Sequence, residues 1–225
     1  MLFWSITLQL AKGFSVSLLL FALTLVFSLP IGLIFTFGSM SKIKPLKYLS
    51  KAIVYVIRGT PLLLQLMIVV YLPGMAFEMP ITRWKMFHGN TALAYFCVVL
   101  FAFVLNYACY FSEIYRGGIE SINKGQYEAG QVLGMTKRQI FFKIILLQVI
   151  RRILAPISNE TITLVKDTAL ARTVSVMEIL YYSYDILITK FIVWPMFYAG
   201  VFYLVFNALL TYIFSRLERK LSYFN

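Results

Sequence analysis

Apolar runs about as long as a bilayer is thick recur along this chain, and they restrict its fold more than any other feature. The first run covers residues 14–37 and contains no charged residue. A helix needs about 20 apolar residues to cross the hydrocarbon core of a membrane. The chain is 60% hydrophobic, which is more apolar surface than a water-soluble domain can bury. The sequence therefore predicts an all-α, polytopic membrane protein with about five transmembrane helices.

The apolar runs place the predicted spans within a single transmembrane domain, residues 1–225. The second run is interrupted at residues 58–61, where Thr60 suits a helix N-cap and Pro61 suits the first helical turn. We therefore expect the helix to bend or restart there. The predicted spans are residues 14–37, 52–72, 91–111, 148–167 and 191–214.

Basic residues set the predicted orientation of these spans. Lysines cluster between residues 42 and 51, and further Lys and Arg residues lie in a long loop at about 113–145 and in the C-terminal tail. Cytoplasmic loops of membrane proteins carry such an excess of positive charge, so all three segments are expected inside the cell. An odd number of spans then places the N-terminus outside and the C-terminus in the cytoplasm. Because the net charge of +12 lies beside apolar runs, we expect a lipid bilayer and no nucleic acid as its partner.

Neither a metal site nor a catalytic cluster is predicted. The single histidine, His88, lies in a polar loop, and Cys97 and Cys109 fall within one apolar run. The sequence contains no HExxH motif and no GxxxxGK[ST] phosphate-binding loop. We therefore expect a protein that is not an enzyme and binds no cofactor, with any ATP and Mg held by a separate chain.

The loop at about residues 113–145 carries signals for two short helices. Gly125 and Gly134 bracket about two helical turns, and Gly134 suits the left-handed position just past a helix end. Thr136 is followed by Gln139 three residues later, which is the pattern of a capping box for the next helix. The loop is therefore predicted to fold as helix, turn and helix.

An apolar face on the first of these helices indicates that the loop contacts another protein. Ala129, Val132 and Leu133 share one side of the helix by their spacing. Such a face in an otherwise polar loop predicts a docking surface for another protein. The alternative is a solvated loop whose helicity is incidental.

Several blocks of sequence occur in a fixed order between residues 58 and 170. They lie at residues 58–66, 113–129, 151–160 and 166–170. Together these blocks resemble the permease subunits of ABC importers, and more narrowly the polar amino-acid branch of histidine, glutamine, arginine or cystine type. The residues assigned to the family motifs are Arg58, Gly59, Thr60, Pro61, Arg116, Gly117 and Gly118.

This resemblance implies partners and a mechanism. The short loop helix would dock in a groove of a cytoplasmic ATPase subunit, and closure of two ATPase subunits would switch the permease from inward to outward facing. A second permease subunit, identical or related, would complete the pathway, and an extracellular solute-binding protein would deliver the amino acid. The location would be a bacterial plasma (inner) membrane.

The resemblance also assigns the residues that would couple the permease to the ATPase. Gly130 stands where the family usually has a second alanine, which loosens the helix by about 1 kcal/mol. The assigned coupling residues are Tyr127, Glu128, Ala129, Gly130, Leu133 and Gly134.

Polar residues on the predicted fourth span form a stripe that covers about one third of the helix circumference. Ionisable groups in lipid cost about 2.5–3.5 kcal/mol or more each, so this stripe must face protein or water. Glu160 would attract the ammonium group of a substrate; the alternative is that Glu160 is paired with a basic neighbour. The assigned substrate-pathway residues are Asn159, Glu160, Thr163, Lys166 and Asp167, with Gln65 of the second span.

Three further assignments keep an alternative. Lys166 and Asp167 are equally suited to the outer membrane–water interface, and Gln65 is equally suited to a hydrogen bond between helices. The competing function for the whole chain is a stand-alone secondary transporter or channel for a small polar solute. Such a protein would need internal repeats or a filter-like segment, and neither is found in the sequence.

Overall fold

The computed structural model describes residues 2–84 and 89–221, and all regular structure in these residues is helical. His88 lies outside the described residues. Short 3-10 helices at Ile81–Arg83 and Thr168–Val174 and a π-helical turn at Phe141–Ile145 join the longer elements. The α-helices are α1 (Leu2–Ser39), α2 (Lys44–Gly59), α3 (Leu62–Phe77), α4 (Thr91–Glu120), α5 (Lys124–Val132), α6 (Lys137–Ile140), α7 (Leu146–Asp167), α8 (Ile179–Lys190) and α9 (Trp194–Leu221). The predicted all-α class is confirmed.

Within the described residues, three helices are long and apolar enough to cross a membrane: α1, α4 and α9. A fourth is obtained when α2 and α3 are counted as one broken span, so the total is lower than the five predicted. The difference is α7, which was predicted as a span at 148–167. This helix carries five charged residues, at positions 151, 152, 160, 166 and 167, and they lower its mean hydropathy.

The break between α2 and α3 confirms that the chain restarts at Thr60 and Pro61, with a bend of 104°. The predicted role of Thr60 as an N-cap was wrong. Its hydroxyl donates back to the Val56 carbonyl at 2.9 Å, so Thr60 ends α2, and Pro61 stands at the N-cap position of α3. A residue before proline is driven into extended backbone, which is the conformation that Thr60 adopts.

Helix α4 forms the centre of the fold and packs against α1, α2, α3 and α7. Phe103, Tyr107 and Phe111 of α4 are each at most 2% exposed. The α1–α4 contact is close at Gly32, where an added Cβ would lie 3.0 Å from the Ala108 carbonyl oxygen. Nearby, the Thr36 hydroxyl donates across the interface to the Ser112 carbonyl at 3.0 Å.

Several further elements differ from the prediction. Helix α1 begins at Leu2, before the predicted start at 14, and α9 ends at Leu221, after the predicted end at 214. Helix α4 continues to Glu120, nine residues past the predicted end at 111, so the interhelical loop is shorter than expected. Helix α8 was not predicted; the Glu178 carboxylate caps it by accepting from the backbone N–H groups of Leu180 and Tyr181 at 2.8 and 2.7 Å. Helix α9, in contrast, is almost uncovered, with 6% of its most apolar window buried.

Candidate functional site

A hydrogen-bonded amide pair holds the bend between α2 and α3 against α4. The Gln65 side-chain amide donates to the Thr60 hydroxyl at 2.8 Å and to the Ile57 carbonyl at 2.7 Å. Its oxygen accepts from the Asn106 amide at 2.9 Å. Of the two readings left open for Gln65, these contacts favour the helix–helix hydrogen bond, and they fix the position of the bend.

A cavity of about 380 Å³ lies between this bend, α4 and α7. Three of the predicted pathway residues line it: Glu160, Thr163 and Asp167. Asn159 and Lys166 are exposed and are not among the lining residues, so the predicted stripe divides between the cavity and the outer surface of α7. Within the described lining residues, the cavity contains two carboxylates and no basic side chain.

The two carboxylates of the cavity differ in their partners. The Tyr107 hydroxyl donates to Asp167 Oδ2 at 2.6 Å, which fixes that side chain against α4. Glu160 accepts no hydrogen bond from residues 2–84 and 89–221, although it interacts electrostatically with Arg58. Glu160 is therefore the carboxylate that remains available to a ligand in the cavity.

Three lining residues, Asn106, Tyr107 and Tyr110, were missed from the sequence because they lie inside the apolar run of α4. A signal for one of them existed, since Asn106 is the single side-chain amide in residues 91–111. Nothing local distinguished Tyr107 from the other aromatic residues of that run.

A chain of ion pairs runs along the last turns of α4 and extends to Arg58 of α2. Arg116 contacts Glu113 at 2.5 Å and Glu120 at 2.6 Å, and Arg58 approaches Glu113 at 3.7 Å. The family-motif glycines nearby have different surroundings. A Cβ at Gly118 would collide with Ile153 of α7, whereas Gly59 and Gly117 face open space.

The loop segment, residues 124–140, has the helix–turn–helix structure that the sequence predicts. Gly134 has a left-handed φ of +72°. The Thr136 and Gln139 side chains form the reciprocal capping box, with Gln139 N–H donating to Thr136 Oγ1 at 3.3 Å and Thr136 N–H donating to Gln139 Oε1 at 2.8 Å. A further cap, from the Asn123 side chain to Gly125 N–H at 2.9 Å, begins α5.

The predicted coupling residues divide between two faces of α5 and the turn after it. Val132 and Leu133 are 88% and 77% exposed. The exposed set consists of four predicted coupling residues, Glu128, Ala129, Leu133 and Gly134, together with Val132 of the predicted apolar face. Tyr127 and Gly130 instead face inward and pack on a small core that contains Ile122, Ile140 and Ile145. Tyr127 and Gly130 therefore pack α5 against the rest of the loop segment, and the exposed set forms the predicted docking surface.

Gly130 permits the close contact between α5 and α6, because an added Cβ would lie 2.7 Å from Ile140 Cγ1. We expect Gly130→Ala to destabilise this contact by about 1 kcal/mol, since overpacking outweighs the gain in helix propensity. The matched control is Gly125→Ala on the same helix, where an added Cβ meets only Asn123 Oδ1 at 3.4 Å. Hydrogen exchange of the α5 amides should be faster in the first variant and unchanged or slower in the second. Equal exchange in both would contradict the packing role.

Comparison with known proteins decides the family of this chain. Residues 28–223 match the family described as "Binding-protein-dependent transport system inner membrane component". The chain belongs to this family. It is a permease subunit of the amino-acid ABC importer type, as the sequence motifs predicted, and a membrane protein.

The similar curated permeases transport amino acids or their derivatives, according to their names. The L-cystine transport system permease protein TcyB of Bacillus subtilis (strain 168) is 40% identical over 177 residues, which are 79% of this permease and 69% of that protein. The octopine transport system permease protein OccM of Rhizobium radiobacter is 33% identical over 96% of this permease and 86% of that protein. The glutamine transport system permease protein GlnP of Escherichia coli (strain K12) is 30% identical over 97% and 95%.

Solved structures share the fold of this permease. The crystal structure of an amino acid ABC transporter with histidines matches with a TM-score of 0.84 and 28% identity, over 97% of this permease and 96% of that chain. An inward-facing structure of the MetNI methionine ABC transporter matches with a TM-score of 0.70 over 96% and 98%, and at 18% identity it supports the fold alone.

Proposed function

We propose that this permease moves a polar amino acid into the cytoplasm by alternating access through the cavity between α4, α7 and the α2–α3 bend. The observation that carries the proposal is the pair of carboxylates, Glu160 and Asp167, in a cavity of about 380 Å³ beside a helix break. Every amino acid carries an ammonium group, which a carboxylate binds as a charge-assisted hydrogen bond. The names of the similar permeases support an amino acid as the substrate.

The exposed apolar surface of the loop segment supports coupling to a separate ATPase. Val132 and Leu133 project from a helix that is capped at its start and supported from below by Ile140. A docked helix of this kind moves as a rigid body with its partner, so closure of two ATPase subunits would move α4 and α7. ATP and Mg would be held by those subunits and not by this chain.

The remaining partners follow from the family and from the surface of the helices. An extracellular solute-binding protein would deliver the amino acid, and a second permease subunit, identical or related, would complete the pathway. The nearly uncovered α9 is available to lipid or to that subunit. In the bacterial inner membrane, the N-terminus would lie outside and the C-terminus in the cytoplasm, because the basic residues cluster after α1, in the loop segment and after α9. This orientation requires α7 to cross the membrane between the loop segment and α9, in addition to the four spans counted above.

Reconstitution tests this function against that of a stand-alone transporter. The permease, its ATPase subunits and its binding protein are assembled in proteoliposomes, and uptake of radiolabelled cystine, glutamine and arginine is measured. We expect uptake of at least one amino acid that requires ATP, the ATPase subunits and the binding protein. Uptake by the permease alone, without ATPase, would contradict the proposal and favour a secondary transporter or channel.

A further inference from the structure

A separate cavity of about 260 Å³ lies between the π-helical turn, the first turns of α7 and the last residue of α9. It shares no described lining residue with the cavity that contains Glu160 and Asp167. Its described lining is basic, neutral polar or apolar and includes no acidic side chain, and we call it the basic cavity. The lining residues are Lys143, Ile144, Leu147, Gln148, Arg151 and Leu221.

The basic cavity lies where the polar loop segment meets the apolar helices. The loop segment ends at residue 140, and Lys143 follows within the next turn. The side-chain amide of Gln148 donates to Gln126 Oε1 of α5 at 3.4 Å, so the cavity adjoins the loop segment directly. The boundary between a polar loop and an apolar helix is the level at which lipid headgroups lie.

Both segments that form the basic cavity carry an excess of positive charge. Residues 137–152 contain five basic residues and no acidic one, and residues 216–220 contain three basic residues and a single acid, Glu218. Lys143 is exposed and makes no hydrogen bond or ion pair with any residue in 2–84 or 89–221. Arg151 already interacts with another group of the chain, so Lys143 is the cation that is available to an anion in the cavity.

The apolar part of the lining favours a lipid over a small anion. Leu147 is 54% exposed, and Ile144 and Leu221 complete an apolar wall. Helix α9, which leads to the cavity, has only 6% of its most apolar window buried. Inorganic phosphate would use the basic side chains alone, whereas a phospholipid would use both parts of the lining. Basic pockets between membrane helices on the cytoplasmic side are typical binding sites for anionic headgroups.

We propose that the basic cavity binds the headgroup of an anionic phospholipid, with the phosphate beside Lys143 and an acyl chain along Leu147 and α9. The site goes beyond the proposed transport function, because it assigns a role to a surface that neither the substrate cavity nor the docking surface uses. A lipid bound there would contact the turn that joins the loop segment to α7. The composition of the membrane would then act on the segment that is proposed to couple the permease to its ATPase.

Lipid binding to the intact complex tests the site. The permease is purified with its ATPase subunits in detergent, and binding of phosphatidylglycerol or phosphatidylcholine is titrated by native mass spectrometry at fixed ionic strength. The wild type should bind phosphatidylglycerol saturably and more tightly than phosphatidylcholine. Lys143→Gln should weaken phosphatidylglycerol binding about fivefold, which is the contribution of one basic residue near an anionic headgroup. Lys143→Arg should retain the wild-type affinity, because it keeps the charge.

Lys44→Gln is the matched control, because it removes the same charge from an exposed position that does not line the basic cavity and lies in the basic cluster after α1. It should leave the affinity unchanged. Equal weakening by Lys44→Gln and Lys143→Gln would indicate diffuse attraction to the whole basic surface and would overturn the proposal. So would equal binding of the two lipids, or an affinity that does not depend on Lys143 because another subunit fills the cavity. Displacement of phosphatidylglycerol by millimolar inorganic phosphate would identify a site for free anions instead. The readout is lipid binding and not uptake, so each of these results leaves the function as an importer to be decided by the reconstitution.

Discussion

Aspartates in place of Val132 and Leu133 should abolish ATP-driven uptake while leaving the permease in the membrane. Both side chains are more than three-quarters exposed in the isolated chain, so the change costs the fold little. In a docked complex the same positions would lose water, and an unpaired buried charge costs about 3–5 kcal/mol. We therefore expect Val132→Asp/Leu133→Asp to lower the uptake rate at least about 100-fold in proteoliposomes. The amount of permease that copurifies with the ATPase should fall in parallel.

Gln131→Asp is the matched control for this variant. Gln131 is exposed on the same helix, about 100° around its axis from Val132, so the substitution introduces one carboxylate beside the proposed contact and not within it. It should retain most of the uptake. Wild-type uptake by Val132→Asp/Leu133→Asp would refute the docking role of the loop segment.

Glu128→Lys, which reverses a charge within the exposed set, should uncouple uptake from ATP hydrolysis without affecting membrane insertion.

The parts of the structure that the sequence predicted correctly depend on residues a few positions apart. The capping box of Thr136 and Gln139 and the left-handed Gly134 are each formed within one or two helical turns. The restart at Pro61 is equally local, because proline lacks an N–H group and restricts the residue before it. For such features, the residue types and their spacing contain the physical cause.

The parts that were missed depend on which distant residues meet. Tyr107 and Asp167 are 60 positions apart, and their hydrogen bond distinguishes Asp167 from Glu160. Arg58 stacks on Tyr110 across two helices. The chain alone gave no means of bringing these residues together, because apolar spacing reports which face of a helix is buried but not what it contacts.

Helix α7 illustrates why a count of spans from hydropathy is a weak prediction for this protein. Three of its five charged residues, Arg152, Glu160 and Asp167, line cavities between α7 and neighbouring helices, where they would be kept away from lipid. A helix that lines a pathway must therefore be more polar than one that faces lipid. This polarity lowers the mean hydropathy of α7, and it also makes α7 the candidate pathway helix.

Replacing Glu160 with its uncharged isostere should have the second largest effect on transport. Glutamine keeps the shape of the side chain but cannot offer a full negative charge to a substrate ammonium group. A hydrogen bond to a charged group contributes about 1.5–3 kcal/mol, so Glu160→Gln should reduce amino-acid uptake about 30-fold. The ATPase activity of the complex without substrate should remain close to that of the wild type, because Glu160 makes no hydrogen bond that holds the described helices together.

The control for Glu160→Gln is Asp185→Asn, which removes a carboxylate from an exposed position on α8. It should leave uptake unchanged. Asp167→Asn provides a contrast within the cavity, because it alters the partner of the buried Tyr107 hydroxyl and should therefore lower the thermal stability of the permease as well as uptake. If Glu160→Gln lowered the stability and the yield of the complex as much as it lowered uptake, the carboxylate would be a structural group. Uptake that falls while stability is retained is the result that assigns Glu160 to the substrate.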